Sequence, residues 1–157
     1  MDRAIGFSVA LVFFWAAPTS TESRRGSTVA RVMARTLEGS RGVQGDPRLE
    51  REPSGEDRPR ADGALVRVTV PAWGIIRVRD GDPDLVSGFA DVQALMVMGR
   101  TGVTVWDGRE DVTLPESAPL ASFVRNRDFA REAMNDVLER AGQRLANELL
   151  YARSAGR

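Results

Sequence analysis

The chain has 157 residues with 22 basic and 22 acidic side chains, so its formal net charge is zero, and every basic residue is arginine. It contains neither cysteine nor histidine, which excludes disulfide scaffolds, thiolate nucleophiles, zinc ribbons, iron–sulfur clusters and any Ser-His-Asp triad. Without lysine there is no Schiff base and no phosphate-loop lysine, and balanced charge gives no broad field toward nucleic acid or an anionic membrane.

Ala4 to Ala17 is an unbroken run of small and apolar residues, AIGFSVALVFFWAA. It is shorter than the roughly 18 to 20 residues of a membrane-spanning helix. Its length suits the apolar region of a secretory signal, with Arg3 and the terminal amine as the positive flank. Residues 1–19 are therefore expected to be a signal peptide, with Ala17-Pro18-Thr19 as an imperfect cleavage site. The alternative is a buried strand, with Phe7, Val9, Leu11, Phe13 and Trp15 pointing one way and the intervening residues the other. An uncleaved anchor is a third assignment.

Residues 20–38 hold a short helix, capped by Ser27 and running to about Leu37, with Val29, Val32 and Met33 on one face. Residues 39–62 are dense in charge, glycine and proline, with Val43, Leu49 and Ala61 as the only aliphatics. That composition predicts a disordered loop, since it cannot bury enough apolar surface to offset the entropy of ordering.

From Gly63 to the end the pattern is that of one domain, together with residues 20–38. Val66, Val68 and Val70 alternate with Arg67 and Thr69, the period of a half-buried strand. Pro71 lacks an N–H, which calls for an edge or a bulge. Trp73 to Val78 continues extended, and RDGDPD makes a turn. Val86 to Met98 gives the strongest strand signal, with Val92, Ala94, Met96 and Met98 on one face and Asp91, Gln93, Leu95 and Val97 on the other. Gly99 to Gly102 turns into Val103 to Trp106, forming an antiparallel hairpin. After PESAPL the chain is helical, opened by Asn126 or Asp128, with Met134, Leu138, Ala141, Leu145, Leu149 and Ala152 on one stripe. Gly142 is expected to permit close packing on the sheet. The fold class is α+β, a small antiparallel sheet packed by a long C-terminal helix and a short N-terminal helix.

Few constellations suggest chemistry. Asp80, Asp82 and Asp84 alternate in a turn and form a weak candidate Ca²⁺ site. Leu85 stands where a calcium loop needs glycine, however, and Asp91 where it needs glutamate. Asp107, Glu110, Asp111 and Glu116 are near one another in sequence, as paired-carboxylate hydrolysis requires. Trp73, Trp106, Arg77 and Arg79 are candidate partner-binding residues, because exposed Trp and Arg dominate interface energetics. No cofactor motif is present.

The hairpin ending in VTVWDGRE, followed by the helix AREAMNDVLERAGQRLANELL, resembles the α/β domains of bacterial envelope lipoproteins, namely the curli-secretion lipoproteins and the penicillin-binding-protein activators. The likeness covers Ala64 to Arg153. It departs in lacking a lipidation cysteine and in lacking an opening strand, unless Phe7 to Trp15 is that strand. The resemblance implies a non-catalytic envelope protein, periplasmic or outer-membrane associated, that assembles or maintains an envelope complex through protein contact. The partner is then another envelope protein or a second copy, without nucleic acid, and with membrane contact only if the N-terminal segment is retained. The alternatives are a carboxylate-dependent hydrolase, with or without Ca²⁺, and a cytoplasmic location if residues 5–16 form a core strand.

Overall fold

The structure is a computed structural model that describes residues 10–15, 20–38, 48–51, 63–78, 82–99 and 101–155. In chain order the elements are β1 (Ala10–Trp15), α1 (Ser20–Glu38), β2 (Arg48–Arg51), β3 (Gly63–Arg77), β4 (Leu85–Met98), β5 (Thr104–Thr113), β6 (Ala118–Pro119), α2 (Leu120–Arg125) and α3 (Arg127–Ala155). The class is α+β, as the patterning indicates. The sheet order is β2-β1-β3-β4-β5, with β6 also pairing with β4.

β3, β4, β5 and β6 form the antiparallel part. The other edge is parallel: β1 pairs with β3 from Ala10↔Gly63 to Trp15↔Val68, and with β2 from Val12↔Arg48 to Trp15↔Arg51. Parallel neighbours need a crossover, and α1 supplies it between β1 and β2. Two expectations change here. Ala10–Trp15 takes the strand assignment, the second of those open for the N-terminal run. Arg48–Arg51 forms a strand inside the stretch expected to be a disordered loop; its neighbours in 39–62 lie outside the described residues. A short charged strand is tolerated because it is laid against β1 through backbone groups, which need no apolar side chain to pair.

β3 follows its alternation closely. Ala64, Val66 and Val68 are buried while Arg67 is exposed. The register with β4 slips between Thr69 and Ala72, where Pro71 cannot donate to the ladder. The bulge moves Trp73 onto the helix-covered face, where the Arg25 guanidinium of α1 lies 4.0 Å from the ring centroid, a cation–π contact. On β4, Ala90, Val92 and Ala94 face the core, and on β5, Trp106 and Val112 do.

Both helices pack on that one face, α1 over β1 and β3, and α3 over β4 and β5. Val29, Ala30, Met33, Ala34 and Leu37 of α1 meet Val137, Leu138, Ala141, Leu145, Ala146 and Leu149 of α3 in a single core. α1 begins at Ser20, seven residues before the expected cap at Ser27. α3 is opened by Asn126, whose Oδ1 accepts from the N–H groups of Asp128 (3.1 Å) and Phe129 (3.0 Å). Gly142 serves a close approach, but to α1 and not to the sheet: a Cβ there would lie 3.0 Å from both the Val29 carbonyl oxygen and the Val32 Cβ.

Candidate functional site

With both helices on one side, the other side of the sheet is uncovered among the described residues. Strand alternation places Leu65, Arg67 and Thr69 of β3 there, with Asp91, Gln93, Leu95 and Val97 of β4 and Asp107, Arg109 and Asp111 of β5. The register slips again between Met96 and Val97, opposite Trp106 and Thr104, which leaves Val105 as the extra residue. Leu95 is 41% exposed and Val105 48%. With the half-buried Leu65 and Val97 they form an apolar area at the hairpin end of this face. Leu65 lies opposite Val97, and Leu95 lies between Arg67 and Asp107.

The middle of the face is ionic. Asp91 is only 8% exposed and accepts a two-pronged contact from Arg109, Nε to Oδ1 at 2.9 Å and Nη2 to Oδ2 at 2.6 Å. That fork raises the Arg109 pKa further, through the hydrogen bond first and the Asp91 charge second. It also separates Asp91 from Asp111, which stands directly opposite it, where two like charges would otherwise repel.

A second charged group lies on the covered side, along the flank of α3. Arg144 reaches Glu110 at 3.7 Å and Arg140 reaches Glu116 at 3.4 Å. Glu148 points at Gly108, where a Cβ would lie 3.1 Å from its carboxyl oxygen and 2.4 Å from the Trp106 ring. Burial, then the charges of Glu110 and Asp107, push the Glu148 pKa above the ordinary glutamate value. A raised acid binds its proton more tightly when folded, so its ionisation costs stability as pH rises through and above about 4.3. Glu148→Gln is therefore expected to stabilise the chain at pH 7 by up to about 0.5 kcal/mol. The gain should vanish near pH 3, as read from urea midpoints at the two pH values.

The residues expected to bind a partner are dispersed. Trp106 is 8% exposed and belongs to the core, its ring laid across Gly108. Trp73 is half-buried under Arg25. The Trp106 indole is thus core packing, while Trp73 keeps part of its surface exposed beside Arg25. Arg77 is exposed at the end of β3, and Arg79 lies outside the described residues. Of the acidic turn, Asp80 lies outside them, while Asp82 and Asp84 are exposed. Asp82 Oδ1 accepts from the Asp84 N–H at 3.0 Å, which makes the pair a turn device. Among the described residues no group of three acids converges as a metal site would need.

The acids proposed for hydrolysis diverge. Glu110 faces α3, while Asp107 and Asp111 face the bare side. Those two are four residues apart on one strand, about 13 Å, beyond the roughly 5 to 9.5 Å that paired-carboxylate hydrolysis uses.

The bare face was foreshadowed by the parity of Asp91, Gln93, Leu95 and Val97. The Asp91–Arg109 fork was not, because it joins residues on different strands. Helix was expected after PESAPL, but not the break at Asn126 that sets α2 apart from α3: none of the six residues of α2 is buried, and Val124 is 71% exposed. Among the described residues no helix is long and apolar enough to cross a membrane.

No family model and no curated protein matches the sequence. Solved structures do share the fold. A minor lipoprotein from Acinetobacter baumannii aligns over 93% of this chain and 93% of its own, at 13% identity and a TM-score of 0.55. A Xanthomonas campestris protein of the DUF330 family aligns over 92% and 82%, at 14% identity and a TM-score of 0.52. PelC from Paraburkholderia phytofirmans, a dodecamer, aligns over 90% and 86%, at 14% identity and a TM-score of 0.51. At these identities the likeness is one of fold, and it is a fold that bacterial lipoproteins use.

Proposed function

We propose that this chain is a non-catalytic protein of the bacterial cell envelope, periplasmic or associated with the outer membrane, which helps assemble or maintain an envelope complex through protein contact. The observation that carries this reading is the one-sided sheet. A rigid scaffold presents Leu65, Leu95, Val97 and Val105 on a face that no described element covers, and such contiguous apolar area marks contact surfaces. The lipoprotein fold supports the location, as does the resemblance of the hairpin and closing helix to curli-secretion lipoproteins and penicillin-binding-protein activators. Arg77, exposed at the far end of β3 opposite Val86, lies apart from this surface.

β1 bears on how the chain reaches that location. Cleavage after residue 17 or 19 would remove the strand between β2 and β3, so the folded form proposed here keeps Ala10–Trp15. The test is fractionation of the producing cells with intact-mass measurement, combined with a photo-crosslinking residue at position 95 or, as control, at exposed position 31 on α1. The expected result is a chain that retains residues 10–15 in the envelope fraction, crosslinked to protein from position 95 only. A chain confined to the cytosol would overturn the location. Equal crosslinking from both positions would overturn the role of the bare face.

A further inference from the structure

We infer that two copies of this chain join through their β5 edges, antiparallel about a two-fold axis at Gly108, to make one continuous sheet. This goes beyond the contact proposed above, because it uses the rim of the sheet and not its face, and it names the partner as a second copy.

The first support is backbone accounting. β5 pairs on one side with β4, and among the described residues nothing pairs with its other side. Leu114 N–H donates to the Gly88 carbonyl at 2.9 Å. Since antiparallel ladders alternate, the backbone groups of Trp106, Gly108, Glu110 and Val112, on the near side of the bulge, turn toward β4. Those of Asp107, Arg109, Asp111 and Thr113 turn outward. An unpaired edge ten residues long is a template for a further strand.

Charge then selects the register. Charged side chains usually protect an edge from pairing, and on β5 they do so for most alignments. With the axis at Asp107, two aspartates meet. With the axis at Arg109, two arginines meet, and Asp107 meets Asp111. With the axis at Glu110, two glutamates meet. With the axis at Gly108, Asp107 of each copy stands opposite Arg109 of the other, twice over. Arg109 spends Nε and Nη2 on Asp91, which leaves Nη1 of its fork for that contact. This register also overlaps nearly the whole of Thr104–Thr113, since Gly108 is close to its midpoint.

The helix layer fits the same arrangement. α1 lies over β1 and β3, and α3 over β4 and β5, so the two are about two strand spacings apart, roughly 9.6 Å. The same two-strand step separates α3 from its copy across the joined edges, within the usual 8–10 Å between packed helices. Glu148 comes near its own copy at the axis. Arg144 lies one helical turn away in each copy, which limits the repulsion.

The test is sedimentation equilibrium of the full chain at pH 7 from 5 to about 200 µM, a range that spans weak edge pairing, with circular dichroism as the check on folding. Asp107→Arg replaces two attractive cross-strand pairs by two repulsive ones at an exposed position. It should weaken the dimer at least about tenfold. Asp111→Pro removes one outward N–H while sparing the β4 ladder, and should weaken it as well. A wild-type chain that remains monomeric throughout would overturn the inference. So would a dimer, or a larger assembly, that both folded variants leave unchanged.

Discussion

Gly142→Val is expected to cost about 3 kcal/mol, the upper part of the range for overpacking, with the urea midpoint falling and the slope unchanged. The reason is the crossing of α1 and α3. A first carbon at position 142 already stands 3.0 Å from the Val29 carbonyl oxygen and the Val32 Cβ, and valine adds two more carbons in the same gap. Neither neighbour can yield easily, since one is helix backbone and the other a β-branched residue. Gly142→Ala separates the clash from helix propensity. Alanine favours the helix by about 1 kcal/mol over glycine, which offsets much of the smaller intrusion, so this variant should stay within roughly 1 kcal/mol of wild type. If valine were tolerated as well as alanine, the helices would not be in contact at Gly142.

Arg109→Met is the second large effect, a fall in the urea midpoint at pH 7 with the slope unchanged. Asp91 is 8% exposed and holds both oxygens against Arg109, so removing the guanidinium leaves an enclosed carboxylate beside Asp111 with nothing to balance it. Breaking a fully buried pair costs roughly 3–5 kcal/mol. The Arg109 side chain is 60% exposed, so water screens the pair and the loss is smaller. Replacing both partners, Asp91→Leu with Arg109→Met, should recover most of the stability, because no charge is then stranded. A double-mutant cycle in urea reads the coupling directly. A double variant as unstable as the single one would mean that the pair does more than neutralise Asp91.

Local rules carried most of the sheet. The bulge at Pro71, the hairpin across Gly99–Gly102 and the two faces of β4 each follow from a few adjacent residues, where alternation and a missing N–H act without reference to the rest of the chain. Non-local pairing was not legible in this way. An apolar run such as ALVFFW suits a signal segment and a strand equally; only its parallel alignment with Gly63–Val68 distinguishes them, and that alignment is distant in sequence. The strand at Arg48–Arg51 is further still from any composition rule, since its backbone pairs with β1, which is distant in sequence. For the candidate site, parity revealed which residues share the bare face. It could not reveal that Trp106 lies across Gly108, because the missing Cβ matters only once α3 is overhead.

The position of β1 also orders events in time. β3, β4 and β5 are successive in the chain and zip together through short turns, whereas Ala10 must find Gly63 and then accept β2 on its far side. Closing that long loop is entropically the slower step. β1, synthesised before β2 to β5, is thus among the last to be seated, and it is seated between two others. Until then β3 keeps an open flank beside an otherwise formed hairpin assembly. Whatever holds the N-terminal residues elsewhere during that interval, whether ribosome, export channel or bilayer, holds the completion of the sheet as well.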